Sequence, residues 1–282
     1  MGRYLDDTFR RKIVFFTGKG GVGKSTLCYA TALACLKAKK KPLVALWEPF
    51  DSEPGQHPLE SMGIERLRLD ALSCFKEYAL QTVKFEKLYD TVFDNQLLRT
   101  FVRTTPGVGD GVIAGKIWNL AQNDDYDIIL VDLPSTGHTF SFFKSPKGIR
   151  KIFTIGAIHR QAMQICDFFE SDKTRVDFVS LPEELPLTEC GILIQDLKTI
   201  LKVPYGFLFL NQLTPHFSLP DPERMPPELR PLHALYRSRW QNDDSAKDSV
   251  KRWDLPQISI PFEDHPHFLG MIESLSERLR EA

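Results

Sequence analysis

The sequence predicts an α/β protein built on a mostly parallel sheet flanked by helices, and three observations predict it. Short apolar runs of β type recur along the chain and alternate with segments of helical periodicity. A glycine-rich stretch, G-K-G-G-V-G-K-S-T at Gly18–Thr26, separates the first such run from the first helical segment. A later run, D-I-I-L-V-D at Asp127–Asp132, is apolar until it ends in an acid. Runs without alternating polar positions are expected of strands covered on both faces.

Taken in order, the opening M-G-R-Y-L-D-D-T-F-R-R-K is polar and charged and reads as a short N-terminal lead. K-I-V-F-F-T (12–17) reads as a strand, T-L-C-Y-A-T-A-L-A-C-L-K-A (26–38) as a helix closing on lysines, and P-L-V-A-L-W (42–47) as a second strand. Strand, helix and strand make a βαβ unit, which implies parallel pairing. Residues 59–122 change to a 3.6-residue period, with a break at P-G-V-G-D-G near Pro106, and read as an all-helical insertion within one domain spanning 1–282. After Asp132, residues 139–172 form a second helical segment. Arg175–Leu181 and Tyr205–Leu210 read as strands, with a helix between them from near Leu187. A proline-rich stretch at 214–231 reads as loop ending in helix, Gln257–Ile260 as a last strand, and Phe268–Leu279 as an amphipathic helix.

With 282 residues, 42% hydrophobic and 26% charged, the chain has the composition of a soluble globular protein. Its net charge of −1 gives no reason to expect nucleic acid as a partner. No apolar run is long enough for an integral membrane segment, and no basic start precedes an apolar stretch as in a signal peptide. Five cysteines without a C-x-x-C argue against a disulfide framework or a zinc clip, and place the chain in the reducing cytoplasm. Cys28 and Cys35, seven apart on one helix, read as small core residues.

Gly18–Ser25 matches G-x-x-x-x-G-K-[ST] between a strand and a helix, the context that gives this motif its meaning as a phosphate-binding loop. Gly18, Gly20, Gly21 and Gly23 let the backbone around Val22 curl so that its N–H groups converge on phosphates. The helix N-terminus at Lys24–Thr26 adds the positive end of a dipole. Lys24 is the residue to reach the β- and γ-phosphates, and Ser25 the hydroxyl to bind Mg²⁺. Asp132, ending its strand, is the acid to hold that ion through water.

The second lysine in the loop, Lys19, resembles the deviant Walker A motif of the SIMIBI class of P-loop ATPases. Within that class, D-L-P-S-T-G-H-T (132–139) is similar to the D-T-A-P-T-G-H-T segment of the ArsA-type ATPases, which include the arsenite-pump ATPase and the guided-entry ATPase for tail-anchored proteins. V-S-L-P-E-E-L-P-L-T-E (179–189), F-L-N-Q-L (209–213) and I-P-F-E-D-H-P-H-F-L-G (260–270) resemble later family stretches, in family order.

The resemblance implies a P-loop NTPase fold and an ATPase that binds ATP, ADP and Mg²⁺. It implies a dimer, either a homodimer or a heterodimer with a related subunit, in which Lys19 reaches the partner's phosphates as an arginine finger does. It makes Asn211 a reader of adenine, and Gln212 and Thr214 stand where a guanine site would have Lys and Asp. Pro261 and Phe262 are expected beside the base. The chain departs from the family at the switch I segment: in L-W-E-P-F-D-S, Glu48 takes the place of the aspartate that positions the attacking water, with Asp51 a second candidate. One extra methylene shifts the carboxylate by about one bond, a displacement that can cost on the order of a hundredfold in rate. His138 reads as a structural member of the switch, and the pair His265 and His267 as weak evidence for metal.

The insertion at 59–122 is interleaved with charge, and the chain has only 5 methionines, unlike the Met-rich groove of the targeting ATPases. The resemblance therefore carries the motor and leaves the protein client open. Three functions stand at this point: an ATP-driven dimeric switch, a non-catalytic nucleotide-binding subunit of a heteromer, and a positioning ATPase of the MinD/ParA kind. The last would need a basic membrane helix, and the C-terminal F-L-G-M-I-E-S-L-S-E-R-L-R-E-A carries as much acid as base.

Overall fold

A computed structural model describes residues 2–47, 57–82, 100, 105 and 107–282. Its strands are β1 (Ile13–Thr17), β2 (Pro42–Leu46), β3 (Glu65–Arg68), β4 (Ile128–Asp132), β5 (Thr174–Ser180), β6 (Tyr205–Leu213) and β7 (Gln257–Pro261). They form one seven-stranded parallel sheet in the order β3-β2-β4-β1-β5-β6-β7. The helices with described ends are α1 (Arg3–Thr8), α2 (Lys24–Lys37), α3 (Pro58–Ser61), α4 (Ala71–Thr82), α5 (Val108–Ala121), α6 (Thr136–Ile152), α7 (Ala157–Phe169), α8 (Glu184–Asp196), α9 (Arg230–Val250) and α10 (Phe268–Glu281). Among the described residues no helix is long and apolar enough to cross a membrane.

Every residue of β1, β2 and β5 is buried, which is why β1 and β2 read as apolar runs, whereas β5 buries the charged Arg175 and Asp177 among its apolar residues. Successive side chains of a strand point to opposite faces, and β1 divides accordingly. Ile13 and Phe15 join the core beneath α5, α6, α7 and α8, while Val14 and Phe16 join the core beneath α1, α2 and α10. Phe15 meets Phe143 of α6 and Phe169 of α7 edge-on, with ring centres 4.9 and 5.5 Å apart, fixing the helices after β4 against the central strand. On the other face α10 packs against α2, burying Ile272, Leu275 and Leu279 at helical spacing. Cys28 and Cys35 lie fully buried on α2, as their spacing suggested.

Two stretches differ from the sequence reading. The expected lead is the helix α1, which buries Tyr4, Leu5 and Thr8. It is held by Arg175 of β5, itself 1% exposed. Arg175 Nη1 donates to Asp7 at 2.5 Å, Nη2 to Thr8 Oγ1 at 2.8 Å, and Nε and Nη2 to Asp177 at 2.9 and 2.7 Å. Its guanidinium lies over the rings of Tyr4 and Phe207, 5.1 and 4.9 Å from their centres. A buried charge is tolerable only when its donors are met in this way. A methyl group at Gly206, across on β6, would collide with the Arg175 stem.

The second difference lies in 59–122, read as all helix. Glu65–Arg68 is strand β3, pairing with β2 from Leu43–Glu65 to Leu46–Arg68. E-R-L-R is too short to show a period, and its outer residues Glu65 and Arg68 are exposed, as suits the edge of a sheet. The strands expected at Arg175–Leu181 and Tyr205–Leu210 begin one residue early and extend three residues further, respectively.

Candidate functional site

In open parallel sheets the C-terminal strand ends flanking a reversal of strand order form a natural crevice. Here β1 leads into α2 through Gly18–Gly23 at that end of the sheet. Gly21 and Gly23 have φ of 81° and 96°, in the left-handed region that favours glycine. A side chain at Gly18 would strike the Val179 carbonyl of β5, and one at Gly23 the amide of Asn211, whereas Gly20 and Gly21 border open space. The loop is thus pinned at both ends and open in its middle. Val22, buried, anchors it.

Asp132 pairs with Phe16 in the ladder between β4 and β1, which brings it to the start of α2. Ser25 Oγ donates to Asp132 Oδ2 at 2.5 Å. Asp132 Oδ1 is buried and has no hydrogen-bond partner. Burial pushes this carboxyl above the usual carboxylate range, while the Ser25 hydrogen bond and the Lys24 ammonium pull it down. Lys24 Nζ donates to the Lys19 carbonyl at 2.9 Å, and burial lowers its pKa against the opposing charge of Asp132. Thr17 and Thr139 join the ends of β1 and the first turn of α6 through hydroxyls 2.6 Å apart.

This donor set fits a nucleotide phosphate tail with magnesium. The open loop backbone and Lys24 suit phosphate oxygens, and the partnerless Asp132 Oδ1 beside the Ser25 hydroxyl suits a hard cation. Magnesium is commonly held by one or two carboxylates and substrate phosphates, and so needs no all-protein cage. Among the described residues no group of three or more His, Cys, Asp or Glu could hold a metal. His138 is exposed. His265 pairs with Glu263 at 3.0 Å, and His267 precedes α10. All five cysteines are free and buried, with burial pushing the Cys35 and Cys190 thiols up to about 12.

Asn211 lies inside β6, where the sequence reading had put a strand end. It is buried, and its Nδ2 donates to the Val22 carbonyl at 2.9 Å, so β6 supports the loop directly. Beside it, a pocket of about 510 Å³ is lined by Pro182, Gln212, Tyr236, Arg239, Asn242 and Phe262. Phe262 is 53% exposed, and its N–H donates to the Leu213 carbonyl at 2.7 Å. Pro261 ends β7. Glu48 and Asp51 lie outside the described residues; the described chain reaches Trp47, whose ring meets Phe142 of α6 edge-on at 5.7 Å.

Glu189 ends the 179–189 stretch, and its sequence context alone gives it no role. In the structure Lys19 Nζ is 3.7 Å from Glu189 Oε1, and Thr136 Oγ1 donates to Glu189 Oε2 at 2.8 Å. Tyr236, Arg239 and Asn242 were also missed, because α9 reaches the pocket only through the tertiary fold.

A family model described as anion-transporting ATPase (ArsA) matches residues 11–171, more than half of the chain. ATPase BagA of Mycobacterium tuberculosis is 28% identical over 225 residues, covering 71% of this chain and 64% of that protein. A Halobacterium salinarum protein named for an arsenical pump-driving ATPase is 25% identical over 230 residues, covering 72% of this chain and 36% of that protein. The ATPase ASNA1 homolog of Entamoeba dispar is 25% identical over 252 residues, covering 72% of this chain and 77% of that protein. The chain thus spans about one third of the Halobacterium protein and just under two thirds of the mycobacterial one. The matched region contains both the β1–α2 loop and the aspartate that faces it from β4, and on that ground this chain belongs to the ArsA family of anion-transporting ATPases.

Proposed function

We propose that this protein binds ATP with Mg²⁺, hydrolyses it as a dimeric switch, and uses the change to act on a protein client. The whole chain is read as one nucleotide-binding domain, with its client-facing surface on the insertion within 59–122 and on the helical segment at 139–172. The observation that carries the reading is the buried, partnerless Asp132 Oδ1 directly beside the Ser25 hydroxyl at the mouth of an open glycine loop.

Lys24 supplies positive charge to the β- and γ-phosphates, and its three N–H donors allow it to do so while one of them holds the Lys19 carbonyl. Ser25 and Asp132 hold the cation, Asp132 through water. Bound Mg²⁺ supplies further positive charge against the phosphates and fixes their orientation. Lys19 completes the site of a partner subunit, and Glu48 positions the attacking water. Asn211, Pro261 and Phe262 form the base side of the site, next to the pocket at Gln212 and Tyr236. A client surface is supported by an apolar cavity of about 200 Å³ among α4, α5, α6 and α7, lined by Phe75, Val108, Val112, Ile149, Ile158 and Ile165. Ile152, Phe153 and Ile155 stand exposed near it. The free, buried thiols suit the cytoplasm.

The test is to measure Mg²⁺-dependent ATP and GTP binding and ATP turnover of the wild type, Lys19→Ala and Glu48→Gln. We expect binding that prefers ATP, turnover at least about a hundredfold lower in Lys19→Ala, and an ATP-trapped dimer in Glu48→Gln. A protein co-purifying with that trapped dimer is the client. Absence of adenine nucleotide binding sinks the reading. Binding without turnover in any variant leaves the non-catalytic heteromer subunit, and ATP-dependent flotation with liposomes the MinD/ParA-like alternative.

A further inference from the structure

Lys19 is the loop residue read as acting in trans, yet in the structure it faces a carboxylate of its own chain. Its ammonium is 3.7 Å from Glu189 Oε1, and both side chains are about one-third exposed. Glu189 has a second bond: its Oε2 accepts from the hydroxyl of Thr136, the first residue of α6, at 2.8 Å. One carboxylate of α8 therefore joins the phosphate loop to the start of the helix that follows the β4 aspartate. The far end of that helix, at Pro146 and Ile149, lines the apolar cavity.

We propose that Glu189 is a positioning residue for Lys19: it holds the ammonium within its own subunit until phosphate charge and a second subunit draw it away, and through Thr136 it passes the release on to α6. This rests on the dimeric switch reading given above. Three physical points support it. First, a lysine carries a single compact charge on a flexible stem, so Glu189 and a partner's phosphates compete for it. Second, a part-exposed ion pair is a weak tie, worth no more than about a fivefold bias, which a phosphate tail can overcome. Third, a carboxylate beside the N-terminus of α6 interacts favourably with the helix dipole as well as with Thr136. Losing Lys19 leaves that carboxylate to its α6 contacts alone, which changes the hold on the helix in step with the loop.

The distinguishing substitution is Glu189→Gln, which removes the charge and keeps an acceptor for Thr136. Reactivity of Lys19 toward an amine-acylating reagent is read by peptide mass spectrometry in the nucleotide-free protein, then with Mg²⁺ and a non-hydrolysable ATP analogue. Without nucleotide, Glu189→Gln is expected to raise Lys19 labelling about threefold and leave Lys24 unchanged. With the analogue, it is expected to tighten dimerisation three- to fivefold, an effect absent when combined with Lys19→Ala, because the two residues act as one pair. Thr136→Val should weaken the response of the α6 amides to the analogue in hydrogen exchange while leaving Lys19 labelling low. Unchanged Lys19 labelling in nucleotide-free Glu189→Gln overturns the proposal whatever the protein binds. An equal effect of Glu189→Gln in the Lys19→Ala background overturns it too. If labelling rises as expected but the wild type responds to no adenine nucleotide, the dimeric switch reading has failed, and with it the relay to α6, while the pairing of Lys19 with Glu189 stands.

Discussion

Asp132 divides its two carboxylate oxygens: Oδ2 accepts from Ser25 at 2.5 Å, and Oδ1 is buried with no hydrogen-bond partner. Its pKa is raised mainly by burial, so the ionised form opposes folding. That cost is absent below the ordinary value of 3.8, grows as pH rises through the raised pKa, and is complete above it. Asp132→Asn should therefore melt higher than the wild type at pH 7 without nucleotide, by about 1 kcal/mol or roughly 2 °C, and the two should converge below pH 4. The same variant should lose the extra thermal stabilisation that Mg²⁺ adds to bound ATP. Differential scanning fluorimetry across pH checks both, and a lower melting point at pH 7 would contradict the account.

Asn211 serves the loop by donating to Val22, and the proposed reading also sets it beside the base. Asn211→Ala should cost about 1–2 kcal/mol of stability and weaken nucleotide binding. Asn211→Asp should be worse, since it turns a carboxylate oxygen toward the Val22 carbonyl. Titration with ATP and GTP separates the roles. A fall in both affinities alike marks support of the loop, and a fall confined to ATP marks reading of the base.

Arg175 ties β5 to α1 through Asp7, Thr8 and Asp177. Arg175→Met leaves the buried Asp177 without its guanidinium, and should cost about 3–5 kcal/mol by denaturant unfolding. A substitution at Gly206 should do similar damage by evicting the Arg175 stem. A loss under 1 kcal/mol for Arg175→Met would show that the chain end docks by other contacts.

Glu263 accepts from Ser274, His265 and Arg278, and these bonds hold its carboxyl down at about 2. A depressed carboxyl stabilises the folded state above its ordinary value of 4.5, and that contribution is lost as pH falls toward 2. Glu263→Gln should flatten the melting profile between pH 5 and 2 and lower stability at pH 7 by about 1 kcal/mol, the group being partly solvated. An unchanged acid slope would argue that other carboxylates dominate there.

The loop, α2, Asp132 and the central strands were legible because each is local. Phosphate-loop glycines stand at fixed spacing, and strands buried on both faces leave long apolar words in the text. What stayed hidden depends on residues far apart in the chain. Tyr4 and Leu5 look like stray apolar residues in a charged lead until Arg175, 168 positions beyond Asp7, explains the helix. Glu189 is one of three acids along α8, with Glu184 and Asp196, and only the packing of α8 brings it to Lys19 and Thr136. Asn211 was placed near the site for its resemblance, but its bond to Val22 follows from β6 running on to Leu213. β3 was missed for a local reason, four residues being too few to carry a period.

The docking of α1 against α10 has a further consequence. The Gly2 N–H donates to the Arg280 carbonyl at 2.7 Å, and the Tyr4 N–H meets the Ala282 carbonyl at 3.4 Å, so two segments far apart in the sequence are tied main chain to main chain. No side-chain substitution removes these bonds, so residues 2–4 and 280–282 should open to solvent together, as one cooperative unit.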